Sequence, residues 1–182
     1  MKITNLLAAT SLTIIGMGAT VTALAASKAD INTKVTETLA EFNGLNSSNQ
    51  SLTEKSAGML VFPRVTKAGV GIAGEHGEGV LQVHGKTVDY YTVSAASVGL
   101  TLGVAKRSEI IMFMTKDSLD KFTKGEGWSI GADAGITIIH ASANGEYGTQ
   151  TEQKPILGFM FADKGLLGDL SLEGEKISKL KE

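Results

Sequence analysis

Two short motifs contain residue types that could perform chemistry. The first, residues 69–74 (GVGIAG), has the glycine spacing of dinucleotide-binding loops. In such loops a strand precedes the glycines and a helix begins at the last one, so that the helix N-terminus faces the pyrophosphate. Here acids and further glycines follow Gly74, and residues 80–84 then resemble a strand. We interpret residues 69–79 as a hairpin with a glycine-bearing bend, and we predict no cofactor.

The second motif, residues 127–131 (GWSIG), matches the nucleophile elbow of esterases and lipases. An elbow holds its serine between a strand and a following helix, whereas here a helix is predicted before Ser129 and a strand after it. A triad also needs a histidine, and the chain has three: His76, His84 and His140. A serine hydrolase acting through Ser129 is the least favoured hypothesis, and we predict no catalytic residue.

The spacing of the histidines gives little support to a metal site. His76 and His84 are eight residues apart across a predicted turn, and Glu75 or Glu78 could add a carboxylate oxygen. Zinc sites commonly use tighter spacing and cysteine, and this chain has no cysteine. We interpret the histidines as surface residues and predict no metal.

The basic residues suggest a different kind of site. Lys55, Arg64 and Lys67 surround the Phe62-Pro63 turn, and Lys106 with Arg107 forms a pair where two strands meet. If these positions lie together, they form a cationic rim beside an apolar strand end, an arrangement that holds an anionic lipid headgroup. The alternative is scattered, solvated charge.

The composition limits the partners and the compartment. A formal net charge of −2 gives no reason to expect nucleic acid. Without cysteine there is neither a disulfide nor an acylation site for a lipoprotein anchor. Lys2, an apolar stretch and the small residues Ala23 and Ala25 predict a cleaved signal peptide over residues 1–25, with an uncleaved membrane anchor as the alternative. We expect a periplasmic or secreted protein of a Gram-negative type envelope, with residues 26–182 as one domain.

Three helices are predicted from apolar spacing and capping residues. An amphipathic helix over residues 26–46 is indicated by an apolar stripe that consists of Ile31, Val35, Leu39 and Phe42. Ser51 and Glu54 form a capping box for a short helix that ends near Gly58. A third helix, near residues 116–124, could be capped by Thr115 or Asp117.

Glycine and strand patterns determine the predicted fold. Strands are predicted at residues 59–62, stopped by Pro63, and then at residues 95–105, 108–114, 127–139, 156–161 and near the C-terminus. Glycines alternate with apolar residues in several of them, which leaves one face nearly bare. We predict an α+β fold with a glycine-rich, mostly antiparallel curved sheet or partly closed barrel; a bare face could alternatively form a groove for an acyl chain. An outer-membrane barrel is disfavoured by an aromatic content of 5%.

Several blocks in order resemble the SYLF domain, a lipid-binding family also described as a yeast-type actin-binding domain. The likeness covers roughly residues 30–180, and its blocks are residues 56–63, 67–71, 77–81, 95–100, 112–115, 127–131, 164–166 and 170–174. The resemblance implies a non-enzymatic lipid-binding module, and both chemical motifs fall inside its structural glycine blocks.

The resemblance and the basic residues lead to one principal hypothesis. We expect a module that binds anionic phospholipid or the membrane surface through Lys55, Arg64, Lys67, Lys106 and Arg107. The alternative is an envelope scaffold that binds a protein partner. Neither hypothesis involves nucleic acid.

Overall fold

The computed structural model describes residues 27–125, 127–131, 135–140, 153–161, 172 and 174–180, without the side chains of 98–102 and 140. Three helices and six strands lie within these residues. They are α1 (Lys28–Leu45), α2 (Ser47–Lys55), β1 (Gly58–Val83), β2 (Lys86–Phe113), α3 (Lys116–Lys124), β3 (Trp128–Ser129), β4 (Thr137–His140), β5 (Ile156–Phe161) and β6 (Lys176–Lys179). Within the same part of the chain, no helix combines the length and the apolar character that crossing a bilayer requires.

A single long hairpin dominates the sheet. β1 has 26 residues and β2 has 28, and they pair antiparallel from Val83 opposite Lys86 back to Gly58 opposite Phe113. The turn between them consists of His84 and Gly85, with φ of 50° and 71°. Two successive positive φ angles characterise the tight turns whose twist matches that of paired strands. The local sequence therefore closes this hairpin efficiently.

The remaining strands assemble on the free edge of β2. β5 pairs antiparallel with the end of β2, and β6 pairs antiparallel with its beginning. β3 extends the sheet beyond β6, and β4 lies parallel to β5. The result is a mixed, curled half-barrel in an α+β fold. The predicted curvature is confirmed, and the predicted antiparallel pairing holds for every described pair except β4 with β5.

Glycine permits the curl because the two ends of β1 cross closely. A Cβ added to Gly79 would lie 2.2 Å from the carbonyl oxygen of Val61, and one added to Gly77 would lie 2.9 Å from that of Arg64. Both distances are too short for any side chain at these positions. Gly77 and Gly79 lie outside the strands for which a bare face is predicted, but the close backbone packing at these two glycines agrees with the curvature interpretation.

The curled sheet has an apolar core on each of its faces. The inner core includes Leu60, Phe62, Ile111 and Phe113, together with Phe122 of α3. The outer core lies under α1 and α2, and its members include Ile31, Val35, Phe42, Val61, Ile110, Met112 and Phe159. Ile31, Val35 and Phe42 belong to the predicted apolar stripe of α1 and are buried, which confirms the amphipathic helix.

The two predicted short helices have different outcomes. α3 begins after Thr115, whose hydroxyl accepts a hydrogen bond from the amide of Ser118, as predicted. α2 begins at Ser47, earlier than predicted, because the Asn46 side chain accepts a hydrogen bond from the amide of Asn49 and provides the cap. Ser51 is therefore inside α2 and is not its cap.

Three strand predictions are corrected. Pro63 does not stop β1, because a register shift between Phe62 and Val65 removes it from the hydrogen-bond ladder. Residues 69–79 lie inside β1, and the hairpin turn follows at His84. Residues 127–139 do not form one strand: β3 pairs with β6 near the beginning of β2, whereas β4 pairs with β5 near the end of β2. The predicted loop at 142–154 lies almost entirely outside the described residues.

Candidate functional site

A cavity of about 290 Å³ lies between the middle of α1 and the sheet. It is bordered by α1 on one side and by β1 and β2 on the other. Its lining residues are Lys34, Glu37, Thr38, Glu41, Pro63, Arg64, Lys106, Arg107 and Ser108. Three of the five predicted basic residues, Arg64, Lys106 and Arg107, therefore border one cavity.

The alternation of side chains along β2 explains this position. Met112 and Ile110 lie in the core covered by α1, and Ser108, two residues earlier on the same face, borders the cavity. Lys106 follows on that face and is exposed. The cavity thus begins where the helix no longer covers the outer face of β2.

Arg64 reaches the cavity through the irregularity in β1. It lies within the register shift that follows Phe62, and Ser108 Oγ donates a 2.9 Å hydrogen bond to the carbonyl oxygen of Pro63. This bond fixes the bulge against β2, and the side chain of Arg64 is exposed. A bulge redirects a side chain relative to a regular strand, and here it brings a guanidinium near Lys106.

The helix adds charges of both signs. Lys34 contributes a fourth basic residue, whereas Glu37 and Glu41 place carboxylates on the same wall. Sequence reasoning missed Lys34, since nothing in the helix pattern shows which polar residues face the sheet edge. The cavity therefore offers cations on both walls and hydrogen-bond acceptors on the helix side.

Arg107 has a separate role on the inner face of β2. Its side chain is only 4% exposed, and its guanidinium contacts three carboxylates: Nε lies 2.5 Å from Glu109, and Nη2 lies 2.5 Å from Glu175 and 2.6 Å from Glu75. We call these four residues the Arg107 cluster. Because its donors are committed to carboxylates, we leave Arg107 out of the proposed ligand contacts.

The Arg107 cluster retains a proton at neutral pH. Burial and, to a smaller extent, the adjacent charge of Glu109 raise the pKa of Glu175 to about 9 against the opposing effect of Arg107. Burial also raises the pKa of Glu109, although Arg107 opposes the shift. The Oε2 atoms of Glu109 and Glu175 are buried and receive no hydrogen bond from other groups of the described protein. One carboxyl of this pair is therefore protonated and donates to the other.

Burial and the neighbouring carboxylates have opposite effects on the pKa of the Arg107 guanidinium. Burial alone would lower the pKa of Arg107, but the three carboxylates raise it above its ordinary value. Arg107 is therefore permanently charged. With one guanidinium and three carboxyls buried together, a proton on one carboxyl reduces the excess negative charge.

The other two predicted basic residues lie apart from the cavity lining. Lys67 pairs with Glu75 at 3.3 Å on the edge of the Arg107 cluster, and Lys55 is exposed at the C-terminus of α2. The five predicted residues therefore do not form a single patch.

The structure gives no elbow geometry to Ser129. This residue is in the two-residue strand β3, opposite Lys176, and α3 precedes it. Among the residues that the structure describes, no group of three or more histidine or acidic side chains is placed to share a metal ion.

The sequence was compared with models of known protein families. Residues 94–182 match the model of the Ysc84 family, described as Las17-binding protein actin regulator. From Ser94 onward the chain is similar to this family. This match confirms the resemblance to the SYLF domain, and it covers β2 from Ser94 onward together with all later elements of the structure. No curated protein matches the chain significantly.

Proposed function

We propose that this protein is a non-enzymatic module that binds the headgroup of an anionic phospholipid at a membrane surface. The observation that carries the proposal is the convergence of Arg64, Lys106 and Lys34 on one cavity of about 290 Å³. The family, which is associated with lipid or actin binding, supports a binding role.

The chemistry of the cavity indicates a class of headgroup. Arg64 and Lys106 supply charge-assisted hydrogen bonds for a phosphate. Glu37 and Glu41 can only accept hydrogen bonds when ionised, so they favour a headgroup that also carries donors. Phosphatidylglycerol has both a phosphate and free hydroxyls, and it satisfies both walls of the cavity.

An exported location is part of the same proposal. Residues 1–25 have the charge, apolar stretch and small residues of a signal peptide, and they lie outside the described residues. Export would place the protein in the cell envelope, where anionic phospholipid is available. Mass measurement of the protein recovered from the envelope would show whether residues 1–25 have been removed.

The test is vesicle sedimentation with residues 26–182, which contain every described element and whose cooperative unfolding is verified first. Wild-type protein is mixed with phosphatidylglycerol vesicles and with neutral phosphatidylcholine vesicles at low and high salt. The double variant Arg64→Gln/Lys106→Gln should bind the anionic vesicles about thirtyfold more weakly, since each basic residue contributes about 1 kcal/mol near such a surface.

A control with the same change in net charge is available on α3. Lys116 and Lys121 are 81% and 80% exposed and lie outside the cavity. Lys116→Gln/Lys121→Gln should retain most of the affinity. Equal binding by both double variants would remove the cavity from the lipid site, and the absence of any binding by wild-type protein would refute the lipid function.

The second candidate is a module that binds a protein partner. The family description, which names Las17 binding and actin regulation, favours it. Recovery of a partner from detergent-treated envelope extracts, with no dependence on added lipid, would support this candidate over the first.

A further inference from the structure

Three large aliphatic side chains are exposed together at the bend of the β1–β2 hairpin. Val70 is 77% exposed, and Ile72 and Val104 are each 69% exposed. We call these three residues the apolar corner. The described residues include one other large hydrophobic side chain with comparable exposure, Val88, which is 55% exposed and lies near the hairpin turn.

The apolar corner results from the backbone of the bend. Gly71 and Gly103 have φ of 75° and 116°, and the register shifts between Val70 and Ile72. A Cβ on Gly69 would lie 2.0 Å from the carbonyl oxygen of Ile72, so the chain turns sharply there. These glycines project Val70 and Ile72 outward, whereas Ala73 is buried.

The apolar corner is continuous with the proposed headgroup site. Val104 and Lys106 are two residues apart on β2, both are exposed, and they share the outer face of the strand. Lys106 borders the cavity. One surface therefore presents, in order, the cavity, a lysine and a projecting aliphatic group.

We propose that the apolar corner inserts into the interfacial layer of an anionic bilayer while the adjacent cavity holds a headgroup. This inference rests on the proposed lipid function and adds the orientation of the protein on the membrane. Aliphatic side chains flanked by cations complement such a bilayer, which offers acyl chains just beneath a layer of negative charge. Insertion removes the three exposed side chains from water without any rearrangement of the sheet.

The absence of cysteine makes a direct test simple. Val70→Cys introduces a single thiol at the apolar corner, to which an environment-sensitive fluorophore is attached. Val88→Cys provides the matched control, because Val88 is also an exposed valine of the hairpin but lies three residues after Gly85, at the turn. Each labelled protein is titrated with phosphatidylglycerol vesicles, with and without brominated acyl chains.

The expected result is a blue shift and bromine quenching at position 70 but not at position 88. Wild-type binding by sedimentation, together with unchanged fluorescence at position 70, would overturn the insertion and leave the headgroup site intact. If wild-type protein fails to bind anionic vesicles, both the insertion and the lipid function are refuted. Equal shifts at both positions would also overturn the insertion, since they indicate no fixed orientation.

A second measurement separates insertion from electrostatic attraction. Val70→Ser/Val104→Ser should weaken binding to phosphatidylglycerol vesicles at least tenfold, because the apolar area transferred to the bilayer is reduced. The salt dependence of binding should be unchanged, because no charge is removed. Val88→Ser is the control and should bind like wild type; an equal loss for both variants would contradict the proposal.

Discussion

Arg107 and Glu175 lie 68 residues apart in the sequence, yet Nη2 of the arginine and Oε1 of the glutamate are 2.5 Å apart in the fold. Arg107 belongs to β2, and Glu175 immediately precedes β6. The pair therefore ties the C-terminal segment to the central hairpin. Because Glu75 of β1 contacts the same guanidinium, three separate parts of the chain meet at one buried charge.

The proton on the Arg107 cluster makes stability depend on pH. The pKa of Glu175 is about 9 in the folded protein, well above that of a solvated glutamate. Between about pH 5 and pH 9 the folded state binds a proton that the unfolded chain releases. Stability is therefore greatest at the acidic end of this range and should fall as pH rises, by up to about 1.4 kcal/mol per pH unit.

Denaturant unfolding at several pH values between 5 and 9 measures this slope. Glu175→Gln should flatten it and stabilise the protein above pH 7, because the amide remains neutral and can donate to Glu109. The exposed Glu54→Gln in α2 serves as the control and should leave the slope unchanged. A wild-type stability that rises from pH 5 to pH 9 would contradict the protonated cluster.

Removal of the guanidinium should be costly. Arg107→Met keeps an apolar stem of similar length but removes the cation that pairs with Glu109 and Glu175, and loss of one partner from a buried ion cluster typically costs about 3–5 kcal/mol. Arg64→Met, at an exposed position, should change the free energy of unfolding by about 0.5 kcal/mol or less. Similar losses for the two variants would show that the Arg107 cluster does not stabilise the fold.

The close crossing within β1 predicts a sharp difference between two glycines. Gly79→Ala would place a methyl carbon 2.2 Å from the Val61 carbonyl oxygen and 2.6 Å from the Phe62 ring. We therefore expect the free energy of unfolding to fall by about 2 kcal/mol or more. In Gly74→Ala the added methyl group has no atom within 4 Å, and the free energy of unfolding should stay within about 0.5 kcal/mol of the wild-type value. Thermal unfolding of both variants tests this, and equal melting temperatures would argue against the crossing.

The acidic residues of α1 should restrain binding to anionic surfaces. Glu37→Gln/Glu41→Gln removes two negative charges from the cavity wall and should raise affinity for phosphatidic acid vesicles severalfold at low salt, because these charges repel the phosphate and this headgroup has no glycerol hydroxyls to donate to them. Asp117→Asn/Asp120→Asn makes the same change in net charge on α3. The same gain for both pairs would mean that overall charge, and not the cavity, controls binding.

Local features of this fold are visible in the sequence because they depend on neighbouring residues. The stripe of Ile31, Val35 and Phe42 predicts α1, and Thr115 predicts the start of α3, since helix periodicity and capping act within a few residues. The sequence predicts interrupted strands where β1 is continuous, because Pro63 and the glycines of β1 usually end a strand. A bulge accommodates Pro63, and the glycines serve a crossing that is visible only in three dimensions.

The candidate site was predictable only in part. Arg64 and Lys106 are brought together as expected, because they flank the apolar ends of paired strands. The inward position of Arg107 depends on partners at Glu75 and Glu175, and no local pattern reveals contacts over such separations. Lys34 was missed because the register between α1 and the sheet follows from packing of the outer core.

The position of β2 at the centre of the sheet has a consequence for how the protein can be divided. The family match begins at Ser94, yet the hairpin partners of β2 lie in residues 58–83. A fragment of residues 94–182 would expose the edge of β2 from Ser94 to Phe113 that β1 normally occupies. An unprotected edge of that length recruits strands from other molecules. Such a fragment should aggregate on expression, although it contains every residue by which the family is detected.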